Sequence, residues 1–295
     1  MEKLHRRAFL AQAAILGSTL LLPGILRAAP VKSKYKIAVI DLMILKRQKI
    51  SALELTKEIG ADGLEIDMGG LGNRETFENK LADPEIRRQY LERAKALNLE
   101  FCALAMTGFY AQSFATRPTY GKMIQDCLDT AKAMNIKVVF LPLGVQGDLV
   151  KNPELREPIV ERLKIAAKMA SKAKIVIGIE TSLDAKAELQ LLKDIGSANV
   201  KSYFNFSNAI KNGRDLHEEL RILGRKNIIQ IHATNEDGVW LQNDPKIDLH
   251  KVKQTLDEMR WSGWLVIERS RDAAQATNVK YNFGANTKYL KNIFQ

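Results

Sequence analysis

At 295 residues, with 46% hydrophobic and 27% charged residues, the chain is long enough to bury one large core and too evenly mixed to be disordered or fibrous. The net charge of +11 is carried by Lys and Arg spread over helical segments such as 161–168 and 172–174 without interleaved aromatics. That is the pattern of a solvated helix face, so no nucleic-acid partner is expected.

The chain opens on Arg6-Arg-Ala-Phe-Leu10, then an uncharged stretch over 11–26 and Arg27-Ala-Ala-Pro30, the tripartite form of a bacterial export signal of the twin-arginine type. Residues 1–29 are therefore expected to direct export to the periplasm, with cleavage near Ala28 or Ala29 or retention as a tether. Their removal takes away Lys3, Arg6, Arg7 and Arg27 against Glu2 and leaves +8. The apolar stretch is short for a membrane span, and no later segment resembles one. Cys102 and Cys127 sit in apolar runs that suit buried free thiols, although an oxidising compartment leaves a pairing open.

From residue 36 onward, short apolar runs alternate with longer amphipathic ones. Strands are expected at 36–42, 63–67, 99–105, 137–143, 175–180, 200–206, 228–233 and 264–268, and helices at 52–59, 84–96, 120–134, 154–173, 185–195, 216–223 and 249–259. Gly60, Asn98 and Asn135 suit left-handed helix ends, and Asp83-Pro84 and Asp248 suit helix starts. Eight strands with crossover helices predict an α/β fold, a (β/α)8 TIM barrel forming a single domain over 30–295. An open doubly wound sheet would alternate similarly. However, no Gly-x-Gly-x-x-Gly follows the first strand, Met68-Gly-Gly-Leu-Gly72 lacks the helix-opening spacing, and no P-loop is present.

Four consecutive apolar runs stop at a residue able to bind a hard metal ion. They read Ile175-Val-Ile-Gly-Ile-Glu180, Val200-Lys-Ser-Tyr-Phe-Asn205, Ile228-Ile-Gln-Ile-His232 and Trp264-Leu-Val-Ile-Glu268. Parallel strands side by side would bring these ends to one point, giving a mixed oxygen and nitrogen set suited to one divalent metal ion: Mn²⁺, Mg²⁺, Co²⁺ or Zn²⁺. Any one strand-end Glu often just meets solvent or a Lys. Repetition in register sets these four apart.

On the motifs Gly178-Ile-Glu180, Tyr203-Phe-Asn-Phe-Ser-Asn208, Ile231-His232 with Asn235-Glu-Asp-Gly238, and Gly263-Trp-Leu-Val-Ile-Glu268, the chain resembles the sugar phosphate isomerase/epimerase family of xylose isomerase-like TIM barrels. The resemblance implies that Glu180, Asn205, His232 and Glu268 hold the ion and that Glu180 and Glu268 are the catalytic bases. A metal-bound enediolate of a keto sugar would then be protonated on the opposite face, epimerising it, or on the next carbon, isomerising it. The chain departs from the family pattern at Asn205, where Asp is usual, so formal charge at the ion sums to about zero instead of −1. It also lacks an Arg soon after His232 and a His at Ala105-Met-Thr107.

The same enediolate could expel a substituent, so a periplasmic 3-keto-glycoside lyase or hydrolase is the alternative, followed by a noncatalytic sugar-binding protein. A several-zinc abasic-site endonuclease needs more histidines than the His217, His232 and His250 that remain after the leader, and His217 and His250 read as surface residues. Glu65, Gln146, Asn208, Trp240 and Arg269 fall near the expected mouth as candidates to bind substrate hydroxyls or a sugar face. The expected partner is a small-molecule carbohydrate, with a homo-oligomer left open.

Overall fold

The computed structural model describes residues 34–295; the expected export signal lies outside the described residues. Strands β1 (Tyr35–Ile40), β2 (Gly63–Asp67), β3 (Glu100–Ala105), β4 (Val138–Pro142), β5 (Val176–Glu180), β6 (Val200–Asn205), β7 (Ile228–His232) and β8 (Gly263–Ile267) close into a barrel in sequence order. All pair in parallel, and β1 against β8 completes the ring. The expected (β/α)8 barrel is observed.

Crossovers are made by α1 (Ser51–Ile59), α2 (Pro84–Leu97), α3 (Tyr120–Ala133), α4 (Arg156–Ala173), α5 (Ala185–Ile195), α6 (Phe206–Lys211), α7 (Leu216–Leu223) and α8 (Leu249–Glu258), and α9 (Val279–Phe294) ends the chain. Local chemistry sets their limits. Asp83 accepts from the Glu85 N–H with Pro84 at the first helical position, and Asp248 accepts from the Lys251 N–H. Gly60 and Asn98 close α1 and α2 at φ of 88° and 54°, the left-handed conformation that Gly and Asn reach most easily.

Two helices escape the sequence pattern. Helix α6 starts directly from the end of β6, with the Asn205 side chain as its cap, so no polar linker announces it. Helix α9 includes Asn282, Asn286 and Gly284, weak helix formers whose cost is met by burial of Phe283, Leu290 and Phe294.

Residues facing outward from the strands, such as Ile37, Val39, Leu104, Ile177 and Leu265, pack beneath the helices, each worth about 1.5–3 kcal/mol when fully buried. The barrel interior is filled by Ala38, Ala103 and Ala105 opposite the larger Phe140, Tyr203 and Val266. Because side chains alternate along a strand, residues two apart share a face. Glu180, Asn205 and His232, each the last residue of its strand, and Glu268, just after β8, therefore form a layer at the carboxyl end. Gly178, Tyr203, Gln230 and Val266 lie one layer deeper.

Cys102 and Cys127 are free and buried. Among the described residues no helix is long and apolar enough to cross a membrane.

Candidate active site

The four strand-end residues meet. Asn205 Nδ2 donates to Glu180 Oε2 at 2.9 Å and to Glu268 Oε2 at 3.1 Å. His232 Nδ1 lies 2.8 Å from Glu180 Oε2 and 3.8 Å from Glu268 Oε2. One ligand atom each from Glu180, His232 and Glu268 falls within 4.8 Å of the others. Two carboxylates and an imidazole at this spacing fit a three-ligand site that leaves further positions on a divalent ion open.

Asn205, expected as an oxygen ligand, serves this cluster here as a donor. Its Oδ1 accepts from the Ser207 N–H at the start of α6, at 2.9 Å, so the amide turns its hydrogens to the two carboxylates. A carboxylate at this position has no hydrogens to offer.

Burial and mutual repulsion separate the two glutamates. Burial raises Glu180, but hydrogen bonding and charge from His232, with donors from Asn205 and Tyr110, outweigh it and hold this carboxyl below its ordinary range. Glu268 moves the other way: burial, with the Glu180 charge, pushes it up against the opposing pull of His232, Arg269 and the Asn205 donor. Burial disfavours a charged His232, yet Glu180, Glu65 and Glu268 around it raise its pKa well above the usual range.

Above the cluster opens a cavity of about 480 Å³, within the ~300–1,000 Å³ usual for small-molecule sites. Glu180, Asn205 and Glu268 line its floor, and Tyr110, Val145, Val150 and Arg269 its walls. A depression of about 430 Å³ lies near the strands' amino ends. Its Lys36 and Lys291 are paired with Glu100 and Asp62 at 2.5 Å each, so these two cations are already met by the fold.

The expected substrate contacts divide. Asn208 and Arg269 line the cavity; Asn208 also donates to the Thr181 carbonyl at 3.0 Å, and Arg269 Nε lies 3.8 Å from Glu268 Oε1. Gln146 instead faces a separate depression with Gln112 and Arg117. Trp240 turns outward: its indole N–H donates to Asn282 Oδ1 at 2.9 Å and its ring packs 4.4 Å from Tyr281. Glu65 is fully buried beneath the site, accepting from the Tyr203 hydroxyl at 2.5 Å. Of the two other histidines, His250 is exposed, whereas His217 is half-buried with Nδ1 3.1 Å from Thr255 Oγ1.

Tyr110 was not singled out by sequence. It lies in a 3-10 turn after β3 and donates to Glu180 Oε1 at 2.8 Å. Burial and the Glu180 charge push its pKa well up, so the phenol stays a donor. The run Gly108-Phe-Tyr110 reads as core aromatics, and only the position after a strand end hinted otherwise.

No curated protein matches the chain. Solved structures do. A sugar phosphate isomerase/epimerase from Parabacteroides distasonis is 12% identical with a TM-score of 0.68, covering 91% of this chain and 98% of that one. D-psicose 3-epimerase with D-tagatose from Clostridium cellulolyticum gives 12%, 0.69, 88% and 99%, and 3-keto-D-glucoside 4-epimerase from E. coli in apo form gives 16%, 0.67, 88% and 99%. At these identities the likeness speaks to fold. With its model matched over residues 53–292, the xylose isomerase-like TIM barrel family is the one to which this chain belongs.

Proposed function

We propose that the protein is a divalent-metal-dependent isomerase or epimerase of a keto sugar, with Glu180 and Glu268 transferring the proton. The observation that carries this reading is the convergence of Glu180, His232 and Glu268, with the two glutamates lining the floor of a sugar-sized cavity and His232 buried against them. Family membership and epimerase structures of the same fold support it.

Glu180, His232 and Glu268 would hold the ion. When bound, it supplies Lewis acidity to a substrate carbonyl and to charge developing beside it. Glu180, kept ionised by Tyr110, Asn205 and His232, accepts the proton from the carbon next to the carbonyl. Its Oε1, with Tyr110 as its hydrogen-bond partner, is the freer oxygen. Glu268 holds a proton more readily and returns one, so the two roles follow from environments that drive like groups apart.

One observation favours elimination from a 3-keto-glycoside as a second reading. Val145 and Val150, in the loop after β4, are 62% and 54% exposed and both line the cavity. Val145 sits at φ 53°, costly for a β-branched residue and typical of binding sites. An apolar lip suits the substituent of a glycoside better than a free ketose.

Incubating protein loaded with Mn²⁺ in D₂O with unphosphorylated ketoses and 3-keto-glycosides tests both. Deuterium is expected beside the carbonyl, and the product distinguishes epimerisation from loss of the substituent. Exchange that survives Glu180→Gln together with Glu268→Gln would overturn the roles given to these residues, and protein that neither retains nor responds to metal would favour sugar binding without catalysis.

Residues 1–29 are read as a twin-arginine signal placing the protein in the periplasm. Replacing Arg6 and Arg7 with Lys should leave it in the cytoplasm; unchanged periplasmic yield refutes the assignment.

A further inference from the structure

His232 is only 1% exposed and is gripped from two sides. Its Nδ1 faces Glu180 and Glu268 in the candidate metal site, while Nε2 points down the barrel to Glu65 Oε1 at 3.6 Å. Neither Nε2 nor Oε1 has a hydrogen-bond partner of ordinary length, and both are buried. Two such atoms aimed at each other, with no water-facing route, are each the other's means of offsetting desolvation.

Glu65 is itself fixed. Its Oε2 accepts from the Tyr203 hydroxyl at 2.5 Å, and Tyr203 is fully buried one layer below Asn205. The Tyr203 ring lies 4.5 Å from the His232 ring and Phe140 packs against the imidazole edge-on at 4.9 Å, so rotation of His232 is blocked. Gly178 makes room for this arrangement. A Cβ there would stand 2.8 Å from Tyr203 Cδ2 and 3.0 Å from Ile229 Cγ2, closer than neighbouring atoms tolerate.

A buried carboxylate in a barrel core is expensive, and hydrophobic packing alone would be cheaper. Glu65 therefore calls for a role that an apolar residue could not fill. We infer that Glu65, braced by Tyr203, is a positioning residue: it keeps the His232 hydrogen on Nε2 and so presents the Nδ1 lone pair to a divalent ion held with Glu180 and Glu268. A carboxylate behind a metal-binding imidazole fixes its tautomer and orientation and raises its basicity. This rests on the metal reading above, extending it to a second layer of residues that touch neither ion nor substrate.

Two measurements on purified, metal-free protein test the inference. The first is the ring ¹⁵N–¹H spectrum of His232. A slowly exchanging Nε2–H is expected in the wild type and in Glu65→Gln, whose amide oxygen still accepts, and it should be lost in Glu65→Leu. The second is the calorimetric affinity for Zn²⁺, a diamagnetic probe. Glu65→Leu should weaken it about 10–100-fold and Glu65→Gln by less, in line with losses on removing such partners.

If Glu65 matters only for folding, folded Glu65→Leu protein will bind Zn²⁺ as tightly as wild type, and the inference fails. Should Glu65→Leu not fold, Tyr203→Phe serves: a several-fold weaker Zn²⁺ affinity with Nε2–H retained is expected, and unchanged affinity overturns the brace. Absence of the Nε2–H signal in wild type refutes the Glu65 contact whatever the metal does. Wild type that shows the signal but binds no Zn²⁺ refutes the metal reading, and with it the purpose given to Glu65.

Discussion

At the ends of β1 and β2, Asp41 and Asp67 are as thoroughly buried as Glu180 and Glu268 around the other half of the barrel, yet their oxygens are used up. Asp41 accepts from the Gln48 and Asp67 N–H groups at 2.8 and 2.9 Å. Asp67 takes Arg47 Nε at 2.6 Å, the Gly69 N–H at 2.8 Å and the Thr107 hydroxyl. These bonds tie the loops after β1, β2 and β3 together. Glu180 and Glu268 are instead bridged by a single amide and face a cavity. A strand-end carboxylate is thus not a site by position alone; what matters is whether its remaining lone pairs are met by the fold or left to a ligand.

The largest expected effect breaks the open half. Glu180→Gln with Glu268→Gln should cut divalent-ion affinity by ~10³-fold or more, at least about 4 kcal/mol, because both anionic ligands go. Thermal stability should change little, since repulsion between the two carboxylates is removed together with the attraction of Glu180 for His232. A large fall in melting temperature with ion affinity intact would mean the two halves are alike.

The converse change addresses the closed half. Arg47→Ala strands the buried Asp67 among fewer donors and, with Arg47 itself 38% exposed, should cost about 1.5 kcal/mol of stability at pH 8, the low end for a hydrogen bond to a charged group, with ion affinity unchanged. Burial already raises the Asp67 pKa despite Arg47, so the variant's penalty should shrink at pH 5, where the orphaned carboxyl can take up a proton. Denaturant melts at the two pH values check this.

A third environment lies behind the barrel wall. Glu188 of α5 accepts from the Thr181 hydroxyl at 2.8 Å, and burial pushes its pKa from the ordinary 4.5 up to about 7. The folded state therefore holds a proton that the unfolded state releases. The stabilisation is fully present below about pH 4.5 and is lost as pH rises through about 7, on the order of 3 kcal/mol if the whole difference is expressed. Glu188→Gln should flatten that part of the stability profile, and an unchanged slope would show the carboxyl ionised throughout.

The difference between the halves was only partly legible in the sequence. Short apolar runs alternating with amphipathic ones, together with helix caps, revealed the barrel, and the polar residues that end four runs revealed the strand-end layer, because these are local patterns. Depth was harder to read: Glu65 has the same parity as Asp67, so alternation places both on the inner face without telling which of them reaches the mouth. Loop direction was not encoded locally either. Gln146 and Trp240 follow strand ends, as Arg269 does, but Trp240 is turned by distant partners, Asn282 and Tyr281, and Gln146 faces a separate depression. Asn205 was found by position, while the way its amide faces depends on the Ser207 N–H of a helix that the pattern did not reveal.

Asn205 is also where the smallest and sharpest test lies. Its Nδ2 supplies the bridge that lets two carboxylates coexist without an ion, and its Oδ1 caps α6. Asn205→Asp keeps the cap but replaces the bridge with a third negative group. The metal-free protein should lose about 1 kcal/mol, the scale of one hydrogen bond, and ion affinity should rise about tenfold, some 1.4 kcal/mol, since an added charge attracts the cation. The same charge should weaken the ion's pull on a substrate carbonyl, so turnover should slow as retention improves. Melts without metal, calorimetry with Mn²⁺ and initial rates separate the three effects. Unchanged ion affinity would place Asn205 outside the metal's reach, and faster turnover would reverse the sign of the charge effect.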